Sequence, residues 1–163
     1  MRTHLAWASA TLALVLTAVT SCGSSSATNS INPSTACVNA SAPHHAYVVV
    51  QHLSGSSVQR CVGFTSDTID ASALMDSSGI EYQTQTYSFG KAICQIDNEP
   101  AQYTECLPQN QPYWSLFLET DNAWAVAQTG YTQVALRDRE ALGWRYVQPT
   151  DASPSPPPLP AES

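Results

Sequence analysis

Apolar and polar positions along this chain alternate in short stretches broken by Gly, Pro, Ser and Asn, the pattern of a sheet protein with tight turns. Residues 46–53 form one apolar run and residues 58–65 a second. The Ser54-Gly55-Ser56-Ser57 break between them predicts a hairpin with Val62 and Phe64 on one face. Residues 68–78 carry the helical pattern: Asp67 or Asp70 is placed to cap the start, Ile69, Ala73 and Leu74 share a side, and Gly79 suits the left-handed position that ends a helix. Residues 80–87 set Ile80, Tyr82, Thr84 and Thr86 against Glu81, Gln83, Gln85 and Tyr87, a strand with one wet face. Phe89-Gly90 turns the chain into residues 91–96, where Ala92, Cys94 and Ile96 align. Residues 113–119 are apolar on both faces, as in a central strand, and residues 124–128, 131–136 and 142–148 complete the series. One short helix among about seven strands predicts an α+β fold, mostly antiparallel sheet with the helix packed on it.

The two ends of the chain have a different character. Arg2 precedes a charge-free run over residues 5–19, a secretory leader shorter than the ~20 residues a membrane-spanning helix needs. It runs into Val19-Thr20-Ser21-Cys22, which resembles the lipobox of bacterial lipoproteins. The resemblance implies that residues 1–21 are a signal peptide and that Cys22 is lipidated. The protein is then exported and anchored to the outer face of the cytoplasmic membrane or the cell envelope. Residues 22–45 are rich in Ser, Ala and Asn and read as a flexible tether. Residues 149–163 contain Pro149, Pro154, Pro156, Pro157, Pro158 and Pro160, which predicts a disordered, polyproline-type tail. Residues 46–148 remain as a single folded domain.

Charge narrows the function classes. Charged residues make up 12% of the chain, and 6 Lys and Arg stand against 13 Asp and Glu, so no basic stripe is available to neutralise phosphates and nucleic acid is excluded as a partner. With Cys22 taken by lipid, Cys37, Cys61, Cys94 and Cys106 are left, an even number in an exported chain and therefore a pair of disulfides. Spacing does not choose among the three connectivities; we expect Cys37 with Cys61, pinning the end of the tether to a strand, and Cys94 with Cys106, closing a turn. No C-x-x-C pair occurs, and His44, His45 and His52 have no acidic or Cys partner at helical spacing, so neither a metal centre nor a cofactor is expected. The sequence also lacks G-x-S-x-G, the phosphate-loop motif and H-E-x-x-H. Glu119 with Asp121 and Asp138 with Glu140 are carboxylate pairs beside turns, expected to face water. No catalytic residue is assigned, and the protein is not expected to be an enzyme.

The last third of the body is crowded with aromatics. Tyr113, Trp114, Trp124, Trp144 and Tyr146 are the candidate ligand-binding residues, because flat, rigid side chains suit sugars, ring-shaped cofactors or a protein surface. In a body this small the same residues also serve as core plugs. Period two puts Trp144 and Tyr146 on one strand face and Arg145 on the other, where a nearby carboxylate is the expected partner.

The succession Phe89-Gly90-Lys91-Ala92-Ile93-Cys94-Gln95-Ile96, Cys106, Tyr113-Trp114-Ser115-Leu116-Phe117, Trp124 and Gly143-Trp144-Arg145-Tyr146 resembles a group of exported actinobacterial proteins. These in turn are similar to the C-terminal domain of the transcobalamin and intrinsic factor family. The resemblance implies a β-grasp-like α+β fold used as a binding or accessory module, with no catalytic residue and no cobalamin contact carried over. The sequence thus leads to a lipid-anchored extracytoplasmic module that binds a small molecule such as a cofactor or sugar. The alternative is an envelope protein-interaction module without a small-molecule ligand.

Overall fold

A computed structural model describes residues 36–161; the leader, Cys22 and most of the expected tether lie outside the described residues. The elements run in the order β1 (Cys37–Val38), β2 (His44–Gln51), β3 (Ser57–Phe64), β4 (Ile69–Asp70), α1 (Ala71–Ser78), β5 (Tyr82–Tyr87), β6 (Gly90–Ile96), β7 (Tyr113–Thr120), β8 (Ala123–Val126), a 3-10 turn (Tyr131–Gln133), β9 (Ala135–Leu136) and β10 (Ala141–Val147). Among the described residues, one sheet has the order β1-β3-β2-β10-β7-β8, β5 and β6 form a hairpin of their own, and β4 pairs with β9. This is the predicted α+β class, a mostly antiparallel sheet with one helix. At its centre, however, β2 and β10 run parallel, as do β1 and β3 at one edge.

The parallel pair explains the burial pattern. Tyr47 to Val50 are buried at every position, and Ala141 to Val147 at every position but Arg145, as expected of strands covered on both faces. On the front face Ala46, Val48, Val50, Val62, Leu142 and Trp144 share one apolar cluster with the helix, which lies over β2 and β3. Helix α1 presents Ala71, Leu74, Met75 and Ser78, spaced three and four apart, to that face. It begins at Ala71, three residues later than the sequence pattern suggested, because Ile69 and Asp70 pair with Leu136 and Ala135. The later start turns Ala73 to solvent and puts Met75 inside. Asp70 occupies the N-cap position without a side-chain capping bond, and Gly79, at φ 72°, ends the helix as predicted.

The back face has a cover that the sequence did not suggest. The proline-rich segment, expected to be a disordered tail, lies on the sheet: Pro157 is buried, and a methyl group at Gly143 would stand 2.8 Å from its ring and 2.6 Å from Trp124. Arg145 donates to the Ser155 carbonyl at 2.6 Å and to the Ser155 hydroxyl, where a carboxylate partner was expected. At the other end Gln59 and the Ala161 backbone exchange two hydrogen bonds.

Two further readings are corrected. Residues 131–136 are a 3-10 turn followed by a two-residue strand, because Tyr131 and Val134, three apart, are both drawn inward. Strand pairing also begins before residue 46: β1 pairs with β3, and His44 and His45 open β2 rather than ending a tether.

Both expected disulfides are present, Cys37–Cys61 and Cys94–Cys106, at sequence separations of 24 and 12. Loops of these lengths make each bridge worth roughly 3 kcal/mol through the entropy of the unfolded chain. Replacing Cys94 and Cys106 together by Ser is expected to lower the unfolding free energy by about that amount, read as a lower urea midpoint. An unchanged midpoint would show that the bridge contributes nothing to stability.

Candidate functional site

The aromatic residues are divided by the sheet. On β7 and β10 the alternation of side chains sends Trp114, Leu116, Trp144 and Tyr146 to the front and Ser115, Phe117, Gly143 and Arg145 to the back. Trp124 of β8, paired with Glu119 of β7, goes to the back, where it packs against the cluster of Tyr47, Cys61 and Ala141. Of the five candidates, the structure brings Tyr113, Trp114 and Trp144 to one cavity, places Tyr146 against Trp114 at 4.9 Å, and separates Trp124 from them.

That cavity is about 190 Å³. Trp144 and Tyr131, edge to face with centroids 5.9 Å apart, line it together with Ile93 and Leu116. Its rim consists of Phe89, Leu107 and Tyr113, which are 63%, 51% and 36% exposed, with Lys91 as the cation beside them. Large apolar side chains so exposed around one opening mark a surface built to be covered. The indole N–H of Trp144 is buried without a hydrogen-bond partner, a departure from the usual pairing of buried polar groups. The Trp124 indole N–H, on the other face, is also unpartnered.

The rim is held in place by its neighbours. Phe89 sits at the tip of the β5–β6 hairpin and stacks on Tyr87, with centroids 5.2 Å apart and rings 9° from parallel. Leu107 follows Cys106, whose bridge to Cys94 ties the long loop to β6. Gln95, buried on β6, fixes the same loop by donating to the Pro100 carbonyl at 2.6 Å and accepting from Gln83 at 2.8 Å. Trp114 donates its indole N–H to the Glu99 carbonyl at 3.0 Å and meets His52 edge-on at 6.2 Å. His52 lies between two carboxylates, Nδ1 at 2.8 Å from Glu99 and Nε2 at 3.1 Å from Asp97. The Leu53 N–H also donates to Glu99, so this carboxylate and its backbone carbonyl together fix the orientation of Trp114.

The remaining polar candidates are structural. Glu119, expected to face water, is buried and accepts the Asn122 N–H at 2.5 Å, holding the turn between β7 and β8. Asp138 accepts the His45 N–H and Glu140 the Arg137 N–H, each at 2.7 Å. Among the described residues no group of three His, Cys, Asp or Glu side chains is placed to hold a metal ion.

Three phenols around the front face are harder to ionise than ordinary tyrosine. Burial raises Tyr82, and the hydrogen bond it donates to Asp76 raises it further; burial and the Asp76 charge raise Tyr131; burial and the Glu99 charge raise Tyr146.

No family model and no curated protein matches the chain. Among solved structures it is similar to a Ruminococcus gnavus protein proposed to bind metal, at 15% identity and a TM-score of 0.48, over 64% of this chain and 97% of that one.

The raised phenols set a pH dependence. The unfolded chain ionises its tyrosines first, from about pH 10, so the stability they contribute is complete below that point and declines as pH rises beyond it. Urea midpoints are expected to fall between pH 9 and pH 11 and to fall less in Tyr82→Phe; an equal fall in the variant would remove Tyr82 from the account.

Proposed function

We propose that this protein is a lipid-anchored extracytoplasmic binding module whose ligand is a small, flat, largely apolar group seated in the cleft above Trp144. The observation that carries this reading is the cavity itself, with its exposed apolar rim. Ligand sites combine an apolar concavity with a few polar groups that fix orientation, and here Lys91 is suited to that role. A volume of about 190 Å³ suits a single ring or a fused pair. The cleft is a place for binding rather than chemistry, since beyond Lys91 and the tyrosines its lining carries no acid or base. The disulfides fit an oxidising compartment, and the anchor rests on the four residues ending at Cys22.

A second reading is favoured by one observation. Phe89, at the hairpin tip, is 63% exposed, more than a small ligand in the cleft requires, and a protruding aromatic of this kind is the usual anchor of a protein contact.

A thermal-shift screen of the oxidised protein with single-ring and two-ring aromatics and with N-acetylglucosamine separates the readings. One class is expected to stabilise the protein by about 2.7 kcal/mol at a hundred times its Kd. Tyr113→Ala, an exposed rim substitution, is expected to weaken that binding at least tenfold without loss of fold. Silence across the panel, together with Phe89→Ala abolishing a crosslink to an envelope protein, would establish the protein contact instead.

A further inference from the structure

The back face of the sheet is built as a receptor for the tail. Gly143, Val49 and Gln59 stand opposite one another on β10, β2 and β3 and form a row across the strands. Two interstrand steps make that row about 10 Å long. From Pro157 to Ala161 a polyproline II segment advances about 12 Å, and Pro158 and Pro160 hold this stretch near that conformation. The two lengths match, so Pro157 meets one end of the row while Ala161 meets the other.

Each contact has a dedicated residue. Gly143 leaves open the space that Pro157 and the Trp124 ring crowd into; any side chain there would collide with both. Gln59 is a polar residue only 5% exposed, and its amide does what a strand neighbour would do: it donates to the Ala161 carbonyl at 2.7 Å and accepts the Ala161 N–H at 2.8 Å. Arg145 reaches past the row to the Ser155 carbonyl and hydroxyl. An aromatic wall, a slot for a proline ring and side chains reserved for the peptide backbone are the means by which extended proline-rich segments are recognised.

We propose that this face is a binding groove for a polyproline-type segment, that residues 154–161 are its built-in occupant, and that the groove takes the identical tail of a second copy when its own is released. The tail is joined to β10 only through residues 148–153, so it can leave without disturbing the strand pairing, and a second copy offers a ligand of the same sequence.

Two full-length variants test this by complementation. Pro157→Asp with Ala161→Pro spoils the tail and leaves the groove intact. Gln59→Glu with Arg145→Glu spoils the groove and leaves the tail intact. Each alone is expected to sediment as a monomer, and their equimolar mixture as a heterodimer that a peptide of residues 152–163 dissociates. Near-UV circular dichroism identical to the unaltered chain confirms that both fold. A mixture of monomers overturns exchange between copies. In the unaltered chain the Ala161 amide is expected to exchange its hydrogen at least tenfold more slowly than in the free peptide; exchange at the free rate overturns the groove itself, whatever the variants do.

Discussion

The pairing of β2 with β10 sets the terms for the rest of the molecule. Its two strands come from opposite ends of the described chain, lie parallel at the centre of the sheet, and carry apolar side chains on both faces. A sheet of that kind needs two covers. One eight-residue helix supplies the first, through Leu74 and Met75. The chain has no second helix among its described residues, and the remaining apolar surface is closed by what lay at hand: Trp124 from β8 and a run of prolines after β10. A segment whose composition excludes it from helix and sheet can still serve as a cover, because proline residues lose little conformational freedom when they dock.

The same constraint explains where the cleft lies. Helix α1 covers the front face over β2 and β3, while the aromatic side chains of β7 and β10 extend beyond it. The β5–β6 hairpin and the disulfide-tied loop after it reach over this uncovered stretch without filling it. The cleft is the space between a sheet wider than its helix and a hairpin too short to seal the difference.

Much of the fold was legible from periodicity. The hairpin of β2 and β3, the helix with its terminal Gly79, β5, β6, β7 and β10 each follow from alternation or from a turn signal, and Trp144 and Tyr146 share a face as period two requires. The parallel pairing was not legible, since alternation along one strand says nothing about the direction of its neighbour. The Tyr131–Val134 spacing of three was a helical signal too short to stand out within a six-residue segment. The site was half legible: Tyr113, Trp114 and Trp144 converge, whereas Trp124 is sent to the other face by its pairing with Glu119. Phe89 and Leu107 were missed because solitary residues in turns and loops carry no period, and Lys91 because it is a single exposed cation at the start of a strand. Gln59 left no trace, since period two puts it on the face opposite Val62 and Phe64, where a polar residue reads as solvent-facing, and its partner lies in the distant tail.

The clasp between Gln59 and Ala161 joins residues 102 apart, and this bears on the order in which the molecule assembles. Contacts of such long range form late, after closer pairings have already shortened the loop between them. The β2–β3 and β5–β6 hairpins are local and can form first, the central pairing must wait for β10, and the strap can close only over a finished sheet. Read in reverse, the strap can open while every strand pairing stays in place, so the back of the sheet is the surface that an opening of this kind exposes first.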